Sequence, residues 1–159
     1  LPDEAGTVLT TATPGVPVNG PAFSAYNSAA QTITTATWTK ATFDTEEFDT
    51  NSNFASSRFT PTVAGYYQLT YEVDAYGAGS NIYGIAAVHK NGSAFKRGTG
   101  GIVSANQNET YLGVAALVYL NGSTDYVEMY VNLNSAGTIN LYGASPLVGF
   151  FQGFLARAA

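Results

Sequence analysis

The sequence contains no cysteine. That excludes disulfides, thiolate zinc centres, iron–sulfur ligation and thiol nucleophiles. Charge is scarce as well: 11% of residues are Asp, Glu, Lys or Arg, against about 25% in an ordinary soluble domain. Six Lys and Arg are spread along the chain and face eleven Asp and Glu, a formal net charge of −5. A protein that tracks phosphates needs clustered cations to displace counterions, so no nucleic-acid partner is expected. Long apolar runs are missing too. The longest, around residues 82–88 and 114–120, fall far short of the ~20 that span a bilayer, and no membrane insertion is expected. Asp3 and Glu4 stand where an export signal would carry Lys or Arg, so none is read at the start. His89 is the one histidine. A metal centre built on several imidazoles is therefore excluded, and His89, close to Asn91-Gly92, reads as a polar residue at a hairpin end rather than a triad base.

What remains is 159 residues with 17 Gly, 11 Tyr and 9 Phe, enough for one domain that buries about 68–70% of its unfolded surface. Residues 1–20 are rich in Thr, Pro and Gly and read as a linker or the end of a stalk, leaving 21–159 as the folded head. In that body Tyr and Phe alternate with Ser, Thr and Asn, and no helical i, i+3, i+4 pattern is sustained. Residues 66–76 alternate cleanly: Tyr67, Leu69, Tyr71 and Val73 on one side, Gln68, Thr70, Glu72 and Asp74 on the other. Asn91-Gly92 and Asn121-Gly122 punctuate later runs as hairpin turns. About ten short strands with regular turns predict an all-β, ten-stranded jelly-roll sandwich.

Two runs break the alternation. Residues 82–88 and 111–120 are apolar on both faces. A sandwich buries one face of each sheet against its partner, so the second must be covered by something else. Another copy of the chain is the economical cover, with Tyr111, Gly113, Val114, Ala116 and Val118 assigned to that interface; loops of the same chain are the alternative.

Among residues able to do chemistry, Asp44, Glu46, Glu47 and Asp49 form the densest acidic cluster. Carboxylates this close along the chain rarely face each other across a sugar, so catalysis is not expected, and calcium ligation is a weaker reading than a solvated acidic loop. Trp38 reads either as a platform for a sugar or as a packed aromatic at a sheet edge. Tyr76, Asn81 and Tyr83 flank a Gly-rich loop, and Lys96 and Arg97 precede another. Together with Trp38 they are the candidate receptor contacts, since loops carried on a rigid sandwich are where recognition concentrates.

The run Phe43, Asp49, Phe54, Phe59, Gly65, Tyr67, Leu69, Tyr71 resembles the signature of the complement one-q globular-head family, within the tumour-necrosis-factor-like jelly rolls. The spacer between Phe54 and Phe59 is two residues shorter than usual, and Leu69 stands where Phe is typical. Residues 21–25 resemble the family's opening strand, 120–127 its penultimate hairpin, and Gly153-Phe154-Leu155 its closing strand. The resemblance covers roughly residues 21–155. It implies a homotrimer, often at the end of a fibrous stalk, and the Thr-, Asn- and Ala-rich, cysteine-free composition resembles heads of bacteriophage tail fibres and bacterial surface proteins. The expected function is non-enzymatic: a trimeric fibre tip, on a virion or at a cell surface, that binds a glycan or protein receptor. A trimerisation cap with no receptor is the alternative.

Overall fold

The computed structural model describes residues 20–77, 83–100 and 109–159. The expected stalk end, apart from Gly20, lies outside them, as does Asn81. The described residues form strands and turns without helix. In chain order the strands are β1 (Ala22–Tyr26), β2 (Gln31–Ile33), β3 (Thr39–Lys40), β4 (Thr45–Asp49), β5 (Phe54–Ala55), β6 (Arg58–Phe59), β7 (Gly65–Gly77), β8 (Tyr83–Lys90), β9 (Ser93–Arg97), β10 (Glu109–Leu120), β11 (Val127–Asn134), β12 (Ile139–Leu141) and β13 (Gly149–Ala158). The excess over the expected ten comes from short pieces such as β3, β5 and β6, which pair over two residues each.

The strands form two antiparallel sheets. One has seven: β7 at its centre pairs with β10 along one edge and with β13 and β12 along the other, and β13 continues to β1 and β4. The other runs β5-β6-β11-β8-β9, with β3 also paired to β11. Period-two alternation decides what lies between them. Tyr67, Leu69, Tyr71 and Val73 of β7 point inward and are buried, as the sequence predicts. Phe23 of β1 stacks on Phe54 and Phe59 at 4.9 and 4.3 Å and meets Phe151 edge-on at 4.8 Å, so four separate strands meet in one aromatic cluster. Each such ring contributes roughly 1.5–3 kcal/mol by leaving water.

The signature residues divide by role. Phe43, Phe54, Phe59, Tyr67, Leu69 and Tyr71 are core. Asp49 instead closes the turn after β4, its carboxylate accepting the Phe54 N–H at 2.6 Å. Gly153 lies where a Cβ would meet the Leu69 side chain at 2.7 Å, and Phe154 turns outward, half exposed. Asn91 and Gly92 both have positive φ, 52° and 80°, as the tight β8–β9 hairpin requires.

The interface assignment on β10 is corrected by the same alternation. Val114, Ala116 and Val118 point inward and belong to the inter-sheet core. They are unavailable to a partner. Tyr111 and Gly113 lie on the outward face, where Ala115, Leu117 and Tyr119 join them.

Candidate functional site

The two sheets differ in charge. Strands of the seven-stranded sheet carry six acidic residues (Glu46, Glu47, Asp49, Glu72, Asp74, Glu109) and one cation, Arg157. Strands of the six-stranded sheet carry five cations (Lys40, Arg58, Lys90, Lys96, Arg97) and one acid, Glu128.

The seven-stranded sheet's outward face is also where large apolar side chains are exposed. Phe48, Tyr66, Tyr111, Leu117, Tyr119 and Phe154 all lie on it, with Tyr111 64% and Leu117 53% exposed. Tyr66 and Tyr119 pair across β7 and β10 with their rings edge to face at 5.5 Å, and with Leu117 and residues 156–159 they border a depression of about 500 Å³. Toward the other end of this face Asp74 is buried beside like charge. Burial first, then Glu109 and Glu72, push its pKa up to about 6. Tyr76, a candidate receptor contact, packs there against Tyr142 with ring centroids 4.1 Å apart, on the opposite sheet from Tyr83, Lys96 and Arg97.

The six-stranded sheet's outward face is covered by its own chain along the second half of β8, while Tyr83, on the same face at the strand's start, is half exposed. Ala87 and His89 point outward yet are buried. The imidazole of His89 stacks on Tyr130 at 4.0 Å, and the Trp38 indole lies 5.6 Å away on a 54° tilt. His89 is therefore no solvated hairpin-end residue: it is 8% exposed, and both ring nitrogens are buried without a hydrogen-bond partner among the described residues. Leaving a buried polar group unpaired costs about 1–3 kcal/mol. Burial, the largest influence, lowers the His89 pKa; Glu128 pulls it back up and Arg97 lowers it further.

Around this stack the cations are arranged by strand register. Arg97 lies with its guanidinium 5.5 Å from the Trp38 ring centroid. Arg58 sits 3.8 Å over the Tyr126 ring and pairs with Glu128 at 2.9 Å, while Lys40 reaches the same Glu128 oxygen at 3.2 Å and donates to the Ser56 carbonyl at 3.0 Å. Of the six receptor candidates, the structure thus brings Trp38 and Arg97 together. Lys96 lies next to Arg97 on β9 against Phe95, and Tyr83 is half exposed at the start of β8. Sequence reasoning misses His89, Tyr130, Arg58 and Lys40, which reach this face only through pairing of distant strands.

The acidic cluster does not converge. Asp44 lies just before β4 and Glu46, Glu47 and Asp49 within it, and the carboxylates have separate partners: Asp44 accepts the N–H and hydroxyl of Ser28, both at 2.7 Å, and Glu47 accepts the Ser24 hydroxyl at 2.7 Å. Glu46 is exposed. Among the described residues no three His or carboxylate side chains gather as a metal set, and no helix is long and apolar enough to cross a membrane.

No known family profile and no curated protein matches the sequence. Solved structures do match the fold. The globular domain of a zebrafish complement 1qA protein superposes with a TM-score of 0.59 at 17% identity, covering 87% of this chain and 99% of that one. Murine APRIL at pH 5.0 gives 0.59 at 12% identity over 86% and 98%, and Eiger TNF from S. frugiperda gives 0.58 at 10% over 89% and 95%. The fold is therefore an all-β jelly roll like that of the complement one-q and tumour-necrosis-factor domains.

Proposed function

We propose that the chain is a non-enzymatic recognition head that works as a homotrimer at the end of a fibre and binds a receptor on a cell surface. The observation that carries the reading is the outward face of the seven-stranded sheet, where six large apolar side chains on four strands are exposed together. A patch of that kind on a domain this size marks an interface. Closing three copies around it buries the aromatic face and turns the cationic face of the six-stranded sheet outward, three times over. Three modest sites on one rigid head then gain avidity without a tight pocket in any of them. The likeness to complement and tumour-necrosis-factor folds supports the assembly, and the Thr/Pro/Gly-rich residues 1–20 suit a stalk junction. A phage tail fibre recognising its bacterial host is the setting that the cysteine-free, Thr- and Asn-rich composition favours.

The test is saturable binding of the fluorescently labelled head to a panel of intact bacterial and animal cells. Saturable binding to particular cells, competed by unlabelled head, is the expected result. Absence of binding across the panel by a properly trimeric head would favour a trimerisation cap with no receptor.

A further inference from the structure

The proposed trimer leaves the cationic face of the six-stranded sheet open to solvent, and a ligand role for that face rests on the trimeric reading. Arg97 of β9, Ala87 of β8, Tyr130 of β11 and Lys40 of β3 stand in one register row across four strands. The row is about 14 Å wide from end to end at ordinary strand spacing. Both ends are cationic and the middle is aromatic. Arg97 takes part in no salt bridge among the described residues, and Lys40 shares the lone Glu128 carboxylate with Arg58, leaving positive charge in excess at that end too. The Lys40 and Arg58 end opens on a cleft of about 510 Å³ whose other walls include Ser52, Asn53, Ser56 and Thr62. At the centre Trp38 is half-buried, and in the stack His89 keeps two nitrogens that no described residue satisfies.

We infer that this face binds an acidic polysaccharide of the uronic-acid class. A sugar ring lies against the Trp38 indole, one carboxylate meets Arg97, and another meets the Lys40 and Arg58 end. The C–H face of a sugar is weakly positive and apolar, which suits the negative face of an aromatic ring. A guanidinium matches a carboxylate in a two-pronged, charge-assisted pair. The hydroxyl and amide walls of the cleft supply the few directed polar groups that a sugar's hydroxyls need. Charge complementarity selects the acid: in a chain of net charge −5, three cations, Lys40, Arg58 and Arg97, share the outward side of this sheet with one carboxylate, Glu128, a local reversal of sign. A nucleic acid would need more cations than one such row holds.

The experiment is calorimetric titration of the intact head with oligogalacturonate, with neutral dextran of matched length and polyglutamate as controls, at low and high salt. Oligogalacturonate is expected to bind at least about tenfold more tightly than either control and to weaken with salt. Arg97→Gln and Trp38→Ala should each weaken it about tenfold, and Glu46→Gln, on the opposite sheet, should leave it unchanged. Arg97→Gln alters an exposed side chain on an edge strand, so a preserved circular dichroism melt keeps that variant informative if Trp38→Ala unfolds. Equal binding of dextran would overturn the role of charge, equal binding of polyglutamate would make this an acidic-polypeptide surface, and no binding of oligogalacturonate would overturn the proposal outright. The mass of the same wild-type sample is read by light scattering, so a failed trimer is distinguished from a failed glycan site.

Discussion

The imidazole of His89 lies parallel to the ring of Tyr130, with centroids 4.0 Å apart and planes at 13°. Two residues on neighbouring strands thereby form a stack that buries a polar ring on what would otherwise be a solvated sheet face. The stack organises the cationic face, and it carries an energetic signature.

His89 is held below its ordinary pKa by burial in the folded chain, so the unfolded chain takes up the proton first as pH falls. Stability from the neutral ring is present above the unfolded value of about 6.5 and is lost as pH drops through it. His89→Phe removes both unpartnered nitrogens and the titration together. Chemical denaturation should show the variant more stable than wild type by about 1 kcal/mol at pH 7, with the difference widening by about pH 5.5. A difference that shrinks on acidification would contradict the buried, neutral imidazole.

Asp74 has the opposite sign. Its folded pKa is raised to about 6 from 3.8, so the folded chain holds the proton more tightly, and stability is lost as pH rises from about 4 through 6. Asp74→Asn should be more stable than wild type at pH 7, by something on the order of 2 kcal/mol. That advantage should vanish below about pH 4, where the wild-type carboxyl is protonated in both states. Parallel stability curves for the two proteins across this range would show that Asp74 is solvated.

Tyr71 points into the core with its hydroxyl buried and unpartnered among the described residues. Tyr71→Phe keeps the ring against Phe43, 5.7 Å away, and deletes only the orphan oxygen. The urea midpoint should stay or rise, by up to about 1 kcal/mol in stability. A clear loss of stability would mean that the hydroxyl has a partner in solution.

Much of this fold is legible in the sequence because period-two alternation is a local property. The alternation from Tyr66 to Tyr76 fixes the inward face of β7, and Asn91-Gly92 marks the β8–β9 hairpin without any knowledge of the rest of the chain. Residues 111–120 show the limit. When both faces of a strand are apolar, the pattern says that both are buried but not which belongs to the core. Val114, Ala116 and Val118 therefore read as interface when they are core, and nothing in the pattern singles out Leu117 and Tyr119. The cationic face is less legible still. Arg97 and Lys40 become neighbours of Trp38 and Tyr130 through the register of four strands, and register between distant segments leaves no mark in the spacing of residues along the chain. His89 misleads for the same reason, since its cover comes from Trp38 on a separate segment.

The central claim is that three copies close on the outward face of the seven-stranded sheet. It is tested most directly by light-scattering mass of the wild type beside Leu117→Asp and Val114→Asp. Leu117 faces outward and Val114 inward, so the first variant should keep its β-sheet circular dichroism and fall to the mass of one chain. The second should lose the fold, because an unpaired charge in the core is costly. Wild type at the mass of three chains, with Leu117→Asp folded and monomeric, is the predicted result; wild type at the mass of one chain, or Leu117→Asp still trimeric, would contradict it.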